Sequence, residues 1–147
     1  MNYFQARLIA SSAFAGKTDK AGKPYTDHLD AVEALTQDFC TPNEDISCIA
    51  LLHDLLEDTS WTAEMLYKEG FSEYVVKGVE ALTRQAGESY SHYIVRLSKT
   101  PYVIPVKLAD LTHNMDVRRL PRMTDKDLQR LRKYHRWFIY LKSKLPC

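Results

Sequence analysis

A chain of 147 residues, 45% hydrophobic and 27% charged, has the size of one ordinary domain, enough apolar material for a core, and no resemblance to a disordered segment. Its net charge of +1 carries no nucleic-acid signature, and three cysteines (Cys40, Cys48, Cys147) lack the spacing of a disulfide framework or zinc ribbon. No charged n-region with an apolar h-region opens the chain and no apolar run approaches a membrane span, so a cytoplasmic protein without a membrane partner is the expectation.

Asn2 is placed to cap a first helix through about residue 15, with Phe4, Leu8, Ile9 and Ala13 on a buried stripe. Gly16 to Pro24 is a polar loop bounded by glycines and closed by proline. Thr26 or Asp27 caps a second helix to about residue 39, with Leu29, Val32, Leu35 and Phe39 on one face. Thr41-Pro42-Asn43-Glu44 reads as a capping box with proline at the first helical position. It opens a third helix that runs through Ala50-Leu51-Leu52-His53-Asp54-Leu55-Leu56-Glu57-Asp58-Thr59. Further helices are expected near 62–68, from Ser72, over 89–98, over 103–115 with Pro105 in the first turn, and from a Thr124–Asp127 cap to about residue 144. No period-2 strand or repeat is evident, so residues 1–147 read as a single all-α domain, a compact multi-helix bundle. Arg118 to Lys144 is rich in basic residues. Leu128, Leu131, Trp137, Phe138 and Leu141 interleave with them, which favours a solvated helix face over a nucleic-acid surface.

The third helix carries costly groups. Residues four apart share a helix face, so His53 is expected over Glu57 and Asp54 over Asp58, with Leu51, Leu52, Leu55 and Leu56 covering the rest. Ionisable groups in an apolar helix need partners or a metal, and a nitrogen and carboxylate set suits a hard or borderline divalent ion. His28 near the start of the second helix and Asp110 inside Val106-Lys107-Leu108-Ala109-Asp110-Leu111 complete a two-imidazole, two-carboxylate set from three helices. Taken singly, His28 also fits a capping or surface histidine, and Asp110 an ion pair with Lys107 or Arg84.

Three stretches together resemble a known family. They are Gly22-Lys23-Pro24-Tyr25-Thr26-Asp27-His28, the segment from Ala50 to Thr59, and Val106 to Met115. In order and spacing they are similar to the signatures of the hydrolase domain of RelA/SpoT homologues, within the HD superfamily of metal-dependent phosphohydrolases. The resemblance runs from about Tyr3 to Leu120 and implies an HD-domain bundle with a metal site between helices. It implies that His28, His53, Asp54 and Asp110 hold one metal, usually manganese though another divalent transition metal fits, and that Glu57 and Asp58 orient or deprotonate the attacking water. Asn114 is then placed beside the ribose and 3′ phosphates, with Tyr25, Lys20, Lys23, Lys107 and Arg84 as substrate contacts; Arg96 is a further candidate cation. The implied activity is guanosine-3′,5′-bis(diphosphate) 3′-pyrophosphohydrolase, by a stand-alone alarmone hydrolase with a phosphorylated nucleotide as its partner.

The chain departs from the family at informative places. Phe14 stands where a histidine is common, and Thr18 and Asp19 stand where an arginine stacks on the guanine base. Leu29 replaces a proline after the metal histidine, and Leu111 an arginine after the last metal aspartate. Asp19 cannot stack and is expected to repel phosphate. Two alternatives therefore stay open: a phosphohydrolase of another nucleotide or phosphorylated cofactor, and a nucleotide-binding module without turnover. Glu57 and Asp58 argue against the latter, because a pure binder needs no water-activating pair.

Overall fold

Helix starts fall where short polar side chains can accept the amide protons that a first turn leaves free. The computed structural model describes residues 2–145; Cys147 lies outside them. Among the described residues the helices are α1 (Asn2–Ala13), α2 (Tyr25–Thr36), α3 (Glu44–Leu52), α4 (Leu55–Asp58), α5 (Ala63–Lys68), α6 (Glu73–Ala81), α7 (Tyr90–Ser98), α8 (Ile104–Asn114) and α9 (Asp125–Lys142). The side chains of Asn43, Thr62, Ser72, Ser89 and Thr124 cap α3, α5, α6, α7 and α9. At α9 the bond is reciprocal, Thr124 and Asp127 each satisfying the other's backbone. Short 3-10 helices, Pro101–Val103 and Val117–Arg119, flank α8. An isolated bridge between Thr18 and Pro24 is the β-type pairing of the described residues.

Two expected starts are corrected. Asn43 caps α3, so Pro42 precedes the helix and Thr41 has no capping role. Neither Thr26 nor Asp27 caps α2. The loop closes instead through its backbone, with Asp19 N–H donating to Lys23 O and Tyr25 N–H to Lys17 O, and delivers the chain straight into a helix beginning at Tyr25. Gly16 and Gly22 make the reversals at φ +79° and +77°, where a Cβ would be strained.

The core forms around α3 and α8. α2 packs on α8 and α3, α1 on α3, α6 on α3, and α9 on α8. Ile49 to Leu52, Leu55 and the α8 residues Ile104, Val106, Leu108, Ala109 and Leu111 are buried, each larger side chain contributing roughly 1.5–3 kcal/mol. The expected stripe on α1 is rotated. Ala6, Ile9 and Ala10 face inward, while Phe4 and Leu8 are 72% and 69% exposed. Small alanines let α1 approach α3, and tethers from Gln5 to Glu69 and from Arg7 to Asp30 hold that rotation. On α9 Leu141 is buried and Leu131, Trp137 and Phe138 are half-buried, but Leu128 is exposed, contrary to the inward packing expected of it. No helix of the described residues is long and apolar enough to cross a membrane.

The third helix is also interrupted. It stops at Leu52, His53 and Asp54 form a turn, and α4 resumes at Leu55. The expected stacking of His53 over Glu57 therefore fails: His53 turns into the interior while Glu57 stays exposed. Asp54 and Asp58 remain one turn apart, joined by the Asp58 N–H to Asp54 O bond of 3.0 Å.

Candidate metal centre and flanking cavities

His28 from α2, His53 and Asp54 from the turn after α3, and Asp110 from α8 converge in the interior. His53 Nε2 lies 3.1 Å from Asp54 Oδ2 and 3.5 Å from Asp110 Oδ1. His28 Nε2 lies 3.1 Å from Asp110 Oδ1 and 3.7 Å from Asp54 Oδ2. Ligand atoms of His28, His53 and Asp54 fit within 4.8 Å of one another, and Asp110 reaches the group through both histidines. These packing relations explain why three separate stretches meet: α2 and α8 are the most intimately packed helices, with α3 alongside.

The donor set fits a divalent cation. His53 Nε2 is buried without a hydrogen bond, and two imidazoles with two carboxylates are the nitrogen–oxygen mixture such ions prefer. His53 Nδ1 lies 2.6 Å from Ala50 O, so a proton on that nitrogen turns Nε2 toward the carboxylates, where a divalent cation would take the place of a second proton. Burial opposes charging of His53, yet Asp54 and Asp110 outweigh it and hold its pKa well above the ordinary histidine value. Burial likewise opposes ionisation of Asp110, but Lys107 and the two histidines hold it well below the carboxylate range.

Surrounding contacts fix these side chains. Tyr25 donates its hydroxyl to Asp54 Oδ2 at 2.6 Å, and its ring stacks on Phe14 at 4.9 Å. Lys107, buried in α8, donates to Asp110 Oδ2 at 2.8 Å, which leaves Oδ1 for the histidines. Asn114 donates to Asp110 Oδ1 at 3.0 Å. Tyr25 and Lys107, expected as substrate contacts, thus have their polar groups engaged by the carboxylates. His113 is not among the expected site residues, yet its Nδ1 lies 2.7 Å from His28 Nδ1. Burial, Arg119 and His28 push the His113 pKa down to about 4, so it accepts the His28 proton as a neutral ring and leaves His28 Nε2 facing the centre. Its signal in the sequence is its place three residues after Asp110. His113→Ala is expected to lower metal affinity about 10–100-fold with the fold retained, measured by titration against a competing chelator. Wild-type affinity would mean that packing alone orients His28.

Glu57 and Asp58 lie at the exposed rim. Glu57 Oε1 accepts from Arg84 N at 2.8 Å. Burial, then the nearby charges of Asp54 and Glu57, raise Asp58 to about 6. Lys17 donates to the Asp58 backbone carbonyl, leaving its carboxylate unencumbered by that bond.

Two cavities meet at the centre. One, about 250 Å³, is lined by Asp54, Glu57, Asp58, Arg84, Tyr90, Lys107, Asp110 and Lys133 among others. The other, about 300 Å³, has Asp19, Lys20, His28, Arg119, Arg130 and Met123 in its wall. Tyr25, Asn114 and Tyr134 border both. Of the expected substrate residues, Arg84 and Lys107 line the first cavity and Lys20 the second. Lys23 lines a separate shallow cleft beside His113 and Arg118. Arg96 is not brought to the centre: it pairs with both carboxylate oxygens of Glu88 and donates to the Thr83 carbonyl, which makes it a brace between α7 and the loop before it. Asp19 differs from expectation as well. Its Oδ1 accepts from the amides of Ala21 and Lys23, and its Oδ2 accepts from Arg119 at 2.8 Å. The expected repulsion of phosphate is therefore offset by a guanidinium supplied from the connection between α8 and α9.

No protein-family model matches the chain. It is 37% identical over 119 residues to guanosine-3′,5′-bis(diphosphate) 3′-pyrophosphohydrolase of Haemophilus influenzae, an alignment covering 74% of this chain and 17% of that protein. It is 34% identical over 122 residues to the bifunctional (p)ppGpp synthase/hydrolase SpoT of Escherichia coli, covering 76% and 17%. The chain thus spans about a sixth of the length of these relatives. A solved structure of a metazoan ortholog of SpoT that hydrolyzes ppGpp superposes with a TM-score of 0.76 at 20% identity, covering 98% of this chain and 91% of that one; the likeness is one of fold.

Proposed function

Because the chain is a relative of the RelA/SpoT-type proteins, we propose that it acts, as a single hydrolase domain, as a metal-dependent guanosine-3′,5′-bis(diphosphate) 3′-pyrophosphohydrolase. One observation carries the reading: a two-histidine, two-aspartate cluster, buried except for half-buried Asp54, opens onto a cavity that also holds an acid pair and cationic side chains. His28, His53, Asp54 and Asp110 would hold the metal, with manganese the proposed ion. Such an ion lowers the pKa of water and polarises a phosphoryl oxygen.

The remaining work falls to side chains of this chain. Asp58, raised to about 6, is poised to take a proton from attacking water near neutral pH, and Glu57, fixed by the Arg84 amide, orients that water. Arg84 offers positive charge to the phosphates from the same cavity. Asn114, on the border of both cavities, is placed for the ribose, with the nucleoside in the larger one. Cleavage of the 3′ ester releases pyrophosphate and a nucleoside 5′-diphosphate.

Incubation with manganese and a panel of phosphorylated nucleotides, followed by chromatography, tests this. Pyrophosphate release from the bis(diphosphate) is expected. Orthophosphate release from other nucleotides or cofactors alone would favour the second reading, for which the altered base-facing loop speaks; binding without turnover would favour a sensing module. Within the panel, discrimination between guanine and adenine bis(diphosphates) in kcat/KM is expected to be weak, because stacking on an arginine is worth roughly 0.5–2 kcal/mol, about tenfold of selectivity, and Asp19 stands in its place. A thousandfold guanine preference would show that another residue, Arg119 foremost, reads the base.

A further inference from the structure

The smaller cavity is lined by two unlike sets of groups, the carboxylates Asp54, Glu57, Asp58 and Asp110 and, with them, Arg84, Tyr90 and Lys133. Lys133 comes from α9, outside the three stretches that resemble the family. Its ammonium lies 4.4 Å from the centre of the Tyr90 ring and 5.4 Å from that of Tyr134. These aromatic faces hold the charge in place but do not neutralise it, and no carboxylate pairs with Lys133 among the described residues. Of the other cations of this cavity, Lys107 is paired with Asp110, whereas Arg84 donates its Nε to the Glu88 carbonyl and, among the described ion pairs, meets no carboxylate. Burial together with Arg84, Arg130 and Lys107 lowers the Lys133 pKa, as expected of a cation crowded by its own kind. Beside it, the Tyr90 hydroxyl is buried without a hydrogen-bond partner. A donor without an acceptor and an ammonium without a counter-charge, in one cavity, call for an anion. On the hydrolase reading the scissile phosphate belongs beside Asp54 and Asp110, which that reading assigns to the metal. An anion at Lys133 is then a second phosphate on the same ligand.

We propose that Lys133, with the Tyr90 hydroxyl and Arg84, forms a subsite for the distal phosphate of a diphosphate leaving group and so favours release of pyrophosphate over orthophosphate. The proposal rests on the hydrolase reading above and names the leaving group that this cavity selects. Lys133 as a whole residue lies on the exposed side of α9 although its ammonium leans on Tyr90 and Tyr134, so Lys133→Ala should fold, which its melting temperature verifies. The test is calorimetric titration of the manganese-loaded protein with inorganic pyrophosphate and, separately, orthophosphate. Lys133→Ala is expected to weaken pyrophosphate binding about tenfold or more, in line with loss of a charge-assisted contact, and orthophosphate less than about twofold. Lys133→Arg should restore most of the loss, and Tyr90→Phe should show a smaller loss of the same kind. Unchanged pyrophosphate affinity in Lys133→Ala, or equal losses for both anions, overturns the subsite. The readout needs no turnover. A Lys133-dependent preference for pyrophosphate in a protein that hydrolyses no bis(diphosphate) would uphold the subsite and sink the proposed substrate. Hydrolysis with Lys133-independent binding would do the reverse.

Discussion

Glu57→Gln and Asp58→Asn proteins are expected to keep their metal and their melting temperature while turnover falls about 100- to 10,000-fold, the usual contribution of general acid–base catalysis. Both side chains are exposed at the rim, so neither substitution disturbs the core. The glutamine of the first variant retains an acceptor for the Arg84 amide, the one hydrogen bond through which Glu57 ties α4 to the segment after α6. The Lys17 bond to residue 58 uses the backbone carbonyl and survives any change of side chain. Substrate binding should persist or tighten slightly, since negative charge is removed near phosphates. Metal content, melting temperature and turnover on the same samples decide the matter. If stability and activity decline in step, the pair is a helix brace; near wild-type turnover in both variants would remove it from the chemistry.

Replacing Asp110 should be far more disruptive, because that residue serves the centre and the core at once. Oδ1 faces His28 and His53, while Oδ2 accepts from the buried Lys107 ammonium. Asp110→Asn keeps the shape but leaves Lys107 without its counter-charge, a loss of about 3–5 kcal/mol for a buried pair broken on one side. Adding Lys107→Met removes the stranded ammonium, and apolar replacement of a buried pair is often neutral or better. The double variant should therefore recover most of the stability lost in Asp110→Asn yet remain deficient in metal. Denaturant unfolding and metal analysis read the two effects separately. Full metal occupancy in the stable double variant would exclude Asp110 as a ligand.

The caps and the stretches that meet in the His–Asp cluster are legible in the sequence because both signals are short-range. Asn43, Ser72, Ser89 and Thr124 act on amides three residues away, and the chemistry of His53-Asp54 in a leucine run is visible without knowing what packs there. The rotation of α1 is not legible. Phe4 and Leu8 fit a helical stripe as well as Ala6 and Ala10 do, and the choice is made by how closely α1 can approach α3. The break at His53-Asp54 is hidden for a related reason. A leucine-rich run reads as one helix, whereas the turn is held by contacts with α2 and α8. His113, Arg119 and Lys133 escape notice because their partners, His28, Asp19 and Tyr90, lie far away in the chain.

The last helix walls both cavities and the connection before it the larger one, yet neither supplies any of His28, His53, Asp54 and Asp110. Part of the cavity wall is thus encoded apart from the His–Asp cluster. Mutational drift or directed evolution confined to the Lys17–Lys23 and Met115–Tyr134 segments is expected to change which phosphorylated molecule is accepted while leaving His28, His53, Asp54 and Asp110 in place. A library randomised there should yield variants with altered preference at undiminished metal content, whereas one randomised at α2, α3 and α8 should yield mostly inactive protein.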